Sequence, residues 1–150
     1  MSEPQVELVP KDQENHFQTV VRLSARLREA RVTIYDVDPL GTEDAASFRT
    51  FYYENFLKGV TSASKVGNGN LGLQVLAFQT GGRVLNRSND VGDLIATSVA
   101  DAKAYYTLTF APAVAGHPNE YHDLQVEISK PGLTARTRTG YYAQRTEAAK

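Results

Sequence analysis

The sequence contains no cysteine, which excludes disulfide bonds, thiolate catalysis and zinc sites built on thiolates. It has no apolar run near the roughly 18 residues that cross a membrane. It opens on Met1, Ser2, Glu3 and Pro4, without the basic and apolar regions of a signal peptide. These features predict a soluble chain with no membrane insertion.

An excess of either charge is also missing, because 16 basic residues stand against 17 acidic ones and the net charge is -1. Such a chain has no long-range attraction to nucleic acid or to anionic lipid, so neither is expected as a partner. Hydrophobic residues make up 41% of the 150 residues, which is ordinary for a globular protein of this size. We therefore expect one domain with a hydrophobic core.

Motifs of catalysis and phosphate binding are absent as well. No serine stands in a Gly-x-Ser-x-Gly elbow. Gly67 and Gly69 lack the lysine and hydroxyl residue of a P-loop, and no predicted strand precedes them. The sequence predicts a protein that is not an enzyme and that carries no cofactor.

Hydrophobic spacing predicts helices alternating with strands over residues 12 to 102. The first expected elements are a helix over 12 to 30, a strand over 31 to 37 and an aromatic helix from Thr42 that ends by Gly59. A short helix that ends at Gly81 and Gly82 and a strand over 83 to 86 follow. The last is a helix whose apolar stripe is expected in the core and consists of Val91, Leu94, Ile95, Val99 and Ala102.

Alternating apolar residues then predict strands alone over 105 to 139, with a turn at Pro131 and Gly132. The expected fold class is α/β: a mixed sheet with flanking helices and a terminal three-stranded antiparallel meander. We expect a lead-in over 1 to 11, a single domain over 12 to 143 and a frayed tail over 144 to 150.

Five short segments resemble the von Willebrand factor A-related domain family of acidobacteria, in the same order and spacing. They are Ala30 to Gly41, Leu76-Ala77 with Thr80 to Arg83, Tyr105 to Phe110, Lys130 to Leu133 and Gly140 to Ala143. The resemblance covers about residues 15 to 143 and corresponds to the second half of that domain. It implies a partial von Willebrand A-like (Rossmann-like) sheet, a binding or adhesion role without enzymatic activity, and an exported protein, periplasmic or extracellular.

The resemblance also implies that this chain lacks the metal-binding loop of the complete domain. Complete von Willebrand A domains hold Mg²⁺ or Mn²⁺ with an Asp-x-Ser-x-Ser loop near their start, and that loop does not occur here. A divalent cation of this kind needs several converging oxygen ligands. The resemblance therefore implies a piece of a longer domain, or a natural truncation, without the metal-dependent adhesion site. A fragment of a metal-dependent hydrolase and a structural or assembly domain are the alternatives.

Two aspartates are the candidate ligand-binding residues. Asp36 and Asp38 stand at the carboxyl end of the first predicted strand, where open α/β sheets bind ligands. The alternative is that Asp38 caps the turn at Pro39 and Asp36 pairs locally. His117 and His122 fit no zinc spacing, so no metal site is expected there.

The strand over 31 to 37 is the candidate partner surface, with Val32, Ile34 and Tyr35 along it and Tyr53 as an exposed ring nearby. It carries no protecting lysine or proline inside the run. A second copy could pair with its edge, so we expect a protein partner and consider a homodimer. The alternative is that Gln5 to Val9 folds back and covers that edge.

Overall fold

The computed structural model of the chain describes residues 10–39 and 53–143. The lead-in before residue 10, the predicted aromatic helix up to residue 52 and the tail from residue 144 lie outside the described residues. The described residues form three α-helices, two short 3₁₀ helices and two small sheets. In chain order they are α1 (Pro10–Glu29), β1 (Asp36–Val37), 3₁₀ turns at Ala63–Lys65 and Asn68–Leu71, α2 (Leu73–Gln79), β2 (Val84–Leu85), α3 (Val91–Ala102), β3 (Glu120–Asp123) and β4 (Gly140–Ala143). No helix among them is long and apolar enough to span a membrane.

Helix α1 confirms the prediction from hydrophobic spacing. Its predicted stripe is buried at Phe17, Val20 and Val21. The helix ends where Arg31 takes a left-handed conformation with φ of 54°. The N–H of Val32 there donates to the Leu27 carbonyl, as in a helix C-terminal motif.

Strands β1 and β2 pair in parallel, with Asp36 opposite Val84 and Val37 opposite Leu85. The predicted strand over 31 to 37 is much shorter in the structure. Two side chains bind the backbone just before β1: Arg138 Nη2 donates to the Val32 carbonyl at 2.6 Å, and the Ile34 N–H donates to Thr80 Oγ1 at 3.0 Å. These contacts replace ladder bonds at those positions.

The turn between α2 and β2 confirms the role expected of its glycines. Gly81 has a φ of 82°, a conformation that side chains rarely adopt. A Cβ on Gly82 would lie 1.8 Å from the Ile34 carbonyl oxygen, so only glycine allows this approach. The turn therefore holds β2 close to the start of β1.

The predicted antiparallel meander is present in part. Strands β3 and β4 pair antiparallel, with Tyr121 opposite Tyr142, and the Leu124 N–H extends the ladder to the Thr139 carbonyl. Residues 105–110 and 133–138 form no strand. The paired residues lie farther from the turn at Pro131 and Gly132 than predicted, on both sides of it, and Tyr141 and Tyr142 of β4 are buried where Leu133 is exposed.

The main core lies between α1, β4 and the loop over 60–66. It consists of Phe17, Val20, Val21, Val60, Val66 and Tyr142. The ring of Tyr142 meets Phe17 edge to face at 6.3 Å, and its hydroxyl accepts the Val60 N–H at 3.1 Å. Burial raises the pKa of Tyr142 to about 12. The loop over 61–70, rich in serine, glycine and asparagine, is packed through Val66 and Asn70.

The predicted core stripe of α3 is wrong in three of its large residues. Leu94 is buried with 6% exposure, but Val91, Ile95 and Val99 are 43%, 51% and 49% exposed. Because successive residues of a helix are rotated by 100°, Leu94 and Asp101 lie on the same side of α3. Val91, Ile95 and Val99 form a stripe on the adjacent side. The contacts of Asp101 turn the Leu94 side towards β1, so the stripe faces outward.

Candidate functional site

The carboxyl end of β1 is where the sequence places its candidate ligand site. The Asp36 N–H donates to the Arg83 carbonyl at 2.9 Å, and the Asp38 N–H donates to the Leu85 carbonyl at 2.9 Å. These two bonds fix both aspartates against β2. Because alternate residues of a strand share a face, their side chains lie on the same side of the pair.

An open pocket of about 340 Å³ lies at this end of β1. Its lining is formed by Asp36, Val37, Asp38, Leu73 and Gln74. Two acidic residues, one carboxamide residue and two aliphatic residues thus border the same space. The structure brings Asp36 and Asp38 to one pocket, where α2 forms the second wall.

The electrostatics of the pocket are those of two neighbouring acids. Burial, and then the negative charge of Asp38, raise the pKa of Asp36 above its ordinary value. Burial raises the pKa of Tyr53, and the charges of Glu54 and Asp36 add to it. Tyr53 therefore lies within electrostatic range of the pocket. Such a site favours a cation or a hydrogen-bond donor over an anion.

The histidines do not join these acids. The ring of His122 stacks on its cross-strand neighbour Tyr141 at 5.3 Å, and its Nε2 lies 3.8 Å from Glu120 Oε1. His117 Nδ1 lies 3.1 Å from the Pro118 carbonyl. Within residues 10–39 and 53–143, no three acidic or histidine side chains are grouped so that they could hold a metal ion.

The predicted partner surface along residues 32 to 35 is partly occupied by the chain itself. Val32 is 38% exposed, but its carbonyl accepts from Arg138. The Ile34 N–H is bound by Thr80, and the Tyr35 hydroxyl donates to Asp101 Oδ2 at 2.5 Å. The backbone edge that we expected a second copy to use is therefore engaged at Val32 and Ile34, and the Tyr35 side chain is held by Asp101.

The sequence analysis did not identify Asp101, whose carboxylate interacts with side chains from three other segments. It accepts hydrogen bonds from Tyr35 and Arg136, and its Oδ1 lies 3.7 Å from Arg83 Nη1. Burial acts to raise the pKa of Asp101, but the bonds from Tyr35 and Arg136 outweigh it and the pKa is lowered. An acid in the last turn of a helix opposes the helix dipole, and this is the signal that could have predicted a partner.

Scans against models of protein families, curated proteins and solved structures each returned no match. The resemblance to the acidobacterial von Willebrand factor A-related family therefore stays a prediction.

Proposed function

We propose that this chain is a non-enzymatic binding module of the adhesion type that uses α3 to contact a protein partner. The observation that carries the proposal is the outward stripe of α3, formed by Val91, Ile95 and Val99. Exposed apolar side chains that line up on one element are typical of protein interaction sites. The resemblance noted in the sequence supports the same class of function.

The stripe is suited to a partner because α3 is held by its other side. Leu94 is buried, and Asp101 binds Tyr35 and Arg136. The helix starts at a firm cap, where Asp90 Oδ1 accepts the Asp93 N–H at 3.0 Å. A partner therefore meets a preorganised helix and does not have to order it.

The stripe indicates the chemistry of its partner. From Val91 to Val99 the helix rises about 12 Å, at 1.5 Å per residue, and three β-branched side chains follow that line. A helix with such side chains at positions i, i+4 and i+8 binds by inserting them into an apolar groove of its partner. We therefore expect a protein partner with such a groove, and no small polar ligand at this surface.

A photo-crosslinking residue tests the proposal. Benzoylphenylalanine placed at Ile95 should give a discrete cross-linked product in cells that produce the protein. The matched control places it at Ala100, which is exposed on the same helix but outside the stripe. Products that are the same from both positions, or absent from Ile95, would contradict a role for the stripe.

The second candidate is a cation-dependent function, such as that of a metal-dependent hydrolase fragment, at the Asp36 and Asp38 pocket. It is favoured by the convergence of two carboxylates on one open space. Two side chains are few for a divalent cation, so we expect no tight binding. Calorimetric titration with Mg²⁺, Mn²⁺ and Zn²⁺ checks this. Binding on the order of micromolar that Asp36→Ala abolishes would favour the second candidate instead.

A further inference from the structure

Residues 105–110, between α3 and β3, form a second exposed surface of the chain. They read Tyr-Tyr-Thr-Leu-Thr-Phe and contain only aromatic, β-branched and aliphatic residues. Most of these residue types have a high preference for a β-strand. It carries no charge and no proline, the two devices that normally protect an edge from pairing.

Among the described residues, this run has no sheet partner. Residues 105–110 form no helix, turn or strand, and their backbone makes no hydrogen bond to the backbone of the described residues. Tyr105, Tyr106, Leu108 and Phe110 are 77%, 96%, 70% and 55% exposed. Both the polar backbone and the apolar side chains of the run therefore face solvent.

The run is nevertheless anchored at both ends. The Ala104 N–H donates to the Asp101 carbonyl, which connects the run to the end of α3. The ring of Phe110 lies 5.8 Å from that of Tyr141 in β4. A segment presented in this way can accept a strand without first being released from the protein.

We propose that residues 105–110 pair antiparallel with the same residues of a second copy, which makes the protein a reversible homodimer. Around a two-fold axis, Tyr105 lies opposite Phe110 of the other copy, Tyr106 opposite Thr109 and Thr107 opposite Leu108. The run is thus its own complement, as an isologous interface requires. This surface is separate from the α3 stripe, and the inference does not depend on the proposed function.

The charges and the proline around the run agree with this register. Lys103 lies opposite Pro112 of the second copy, so no like charges face each other. Pro112 has no N–H, and the pairing therefore ends there.

The area of the run sets the strength of the dimer. Each aromatic side chain offers roughly 150–250 Å², so at the observed exposure the run presents about 500 Å² of apolar surface per copy. Pairing through the strand edges covers part of this surface, because side chains stand perpendicular to a sheet, so two copies bury less than the roughly 1,000 Å² of a stable specific interface. We therefore expect dissociation on the order of 10 µM and not an obligate dimer.

A second copy is favoured over the earlier choice of edge, residues 32 to 35. In those residues the Val32 carbonyl, the Ile34 N–H and the Tyr35 hydroxyl already form hydrogen bonds within the chain. A second copy is also favoured over residues 124–128 of the same chain as the strand that pairs with residues 105–110. The run over 124–128 contains Glu127, and its first residue, Leu124, already extends the β3–β4 ladder.

Sedimentation over a concentration series from 1 to about 200 µM, which brackets the expected dissociation constant, tests the dimer. The molecular mass should rise from that of a monomer to that of a dimer. Leu108→Lys should weaken the dimer at least tenfold because it places a charge in the pair. Val114→Lys is the control, since Val114 is 96% exposed and lies beyond Pro112. Ile95→Lys in the α3 stripe should leave the dimer unchanged.

Disulfide trapping tests the register in a chain that has no cysteine of its own. The double variant Tyr106→Cys with Thr109→Cys should form a covalent dimer under mild oxidation, because opposite residues in an antiparallel pair lie about 4.5–5.5 Å apart. Tyr106→Cys alone should not. A monomer at every concentration, a dimer that survives Leu108→Lys, or equal trapping by the single variant would overturn the proposal. A lower melting temperature of Leu108→Lys than of the wild type, at a concentration where both are monomers, would overturn it by showing that the run pairs within its own chain.

Discussion

The phenol hydroxyl of Tyr35 donates a 2.5 Å hydrogen bond to Oδ2 of Asp101, across 66 positions of sequence. Tyr35 stands directly before β1, and Asp101 lies in the last turn of α3. The same carboxylate binds Arg136 and lies near Arg83. One acidic side chain thus joins the start of β1, the start of β2, α3 and the segment before β4.

Removing the Tyr35 hydroxyl should destabilise the protein. Tyr35→Phe keeps the ring and deletes only the donor to a charged acceptor, so the free energy of unfolding should fall by about 1–2 kcal/mol. Urea denaturation measures this change. Tyr105→Phe, at a ring that is 77% exposed, is the control and should change it little. Equal effects of the two variants would show that the Asp101 bond contributes nothing to stability.

The Asp101 network should also make stability depend on pH. The folded state lowers the pKa of Asp101 below its ordinary value of 3.8, so its contribution is complete above that value and is lost as pH falls through the folded pKa. Asp101→Asn should be less stable than the wild type near neutral pH, and the two should converge below pH 3.8. Glu127→Gln, at an exposed carboxylate, is the comparison. A difference that persists undiminished in acid would contradict this linkage.

Asp36 should act in the opposite direction. Because burial and the charge of Asp38 raise the pKa of Asp36, its ionised form costs stability, and the cost appears as pH rises from its ordinary value of 3.8 through the raised one. Asp36→Asn should raise the melting temperature near neutral pH by about 1–3 °C. Below pH 3.8 the gain should disappear. A lower melting temperature at neutral pH would mean that the carboxylate makes a stabilising contact as an anion.

Charge substitutions along α3 should separate its two sides. Leu94→Asp buries an unpaired carboxylate and should cost about 3–5 kcal/mol, a large part of a typical total of about 5–15 kcal/mol. Val99→Asp, at a side chain that is 49% exposed, should cost less than about 1 kcal/mol. Circular dichroism with thermal melting compares the two variants. If both unfold the protein, α3 is buried on the Val99 side as the sequence alone suggested.

Local signals were sufficient for the elements whose cause is local. The apolar spacing of Phe17, Val20 and Val21 predicts α1, and the pair Gly81 and Gly82 predicts the turn before β2, because both depend on residues a few positions apart. Asp36 and Asp38 were placed beside a strand for the same reason, although β1 begins at Asp36. A strand-end position is a property of the sequence next to it.

Long-range contacts decided the rest. The stripe of Val91, Ile95 and Val99 is compatible with burial on any side of α3, and only the bonds from Asp101 to Tyr35 and Arg136 set its rotation. The strand over 31 to 37 has strong β-propensity, but the side chains of Thr80 and Arg138 occupy its backbone groups. The sequence by itself therefore determined which segments are apolar and where helices and turns begin and end. The tertiary structure decided which of those apolar faces are covered, because burial depends on partners that lie many positions away along the chain.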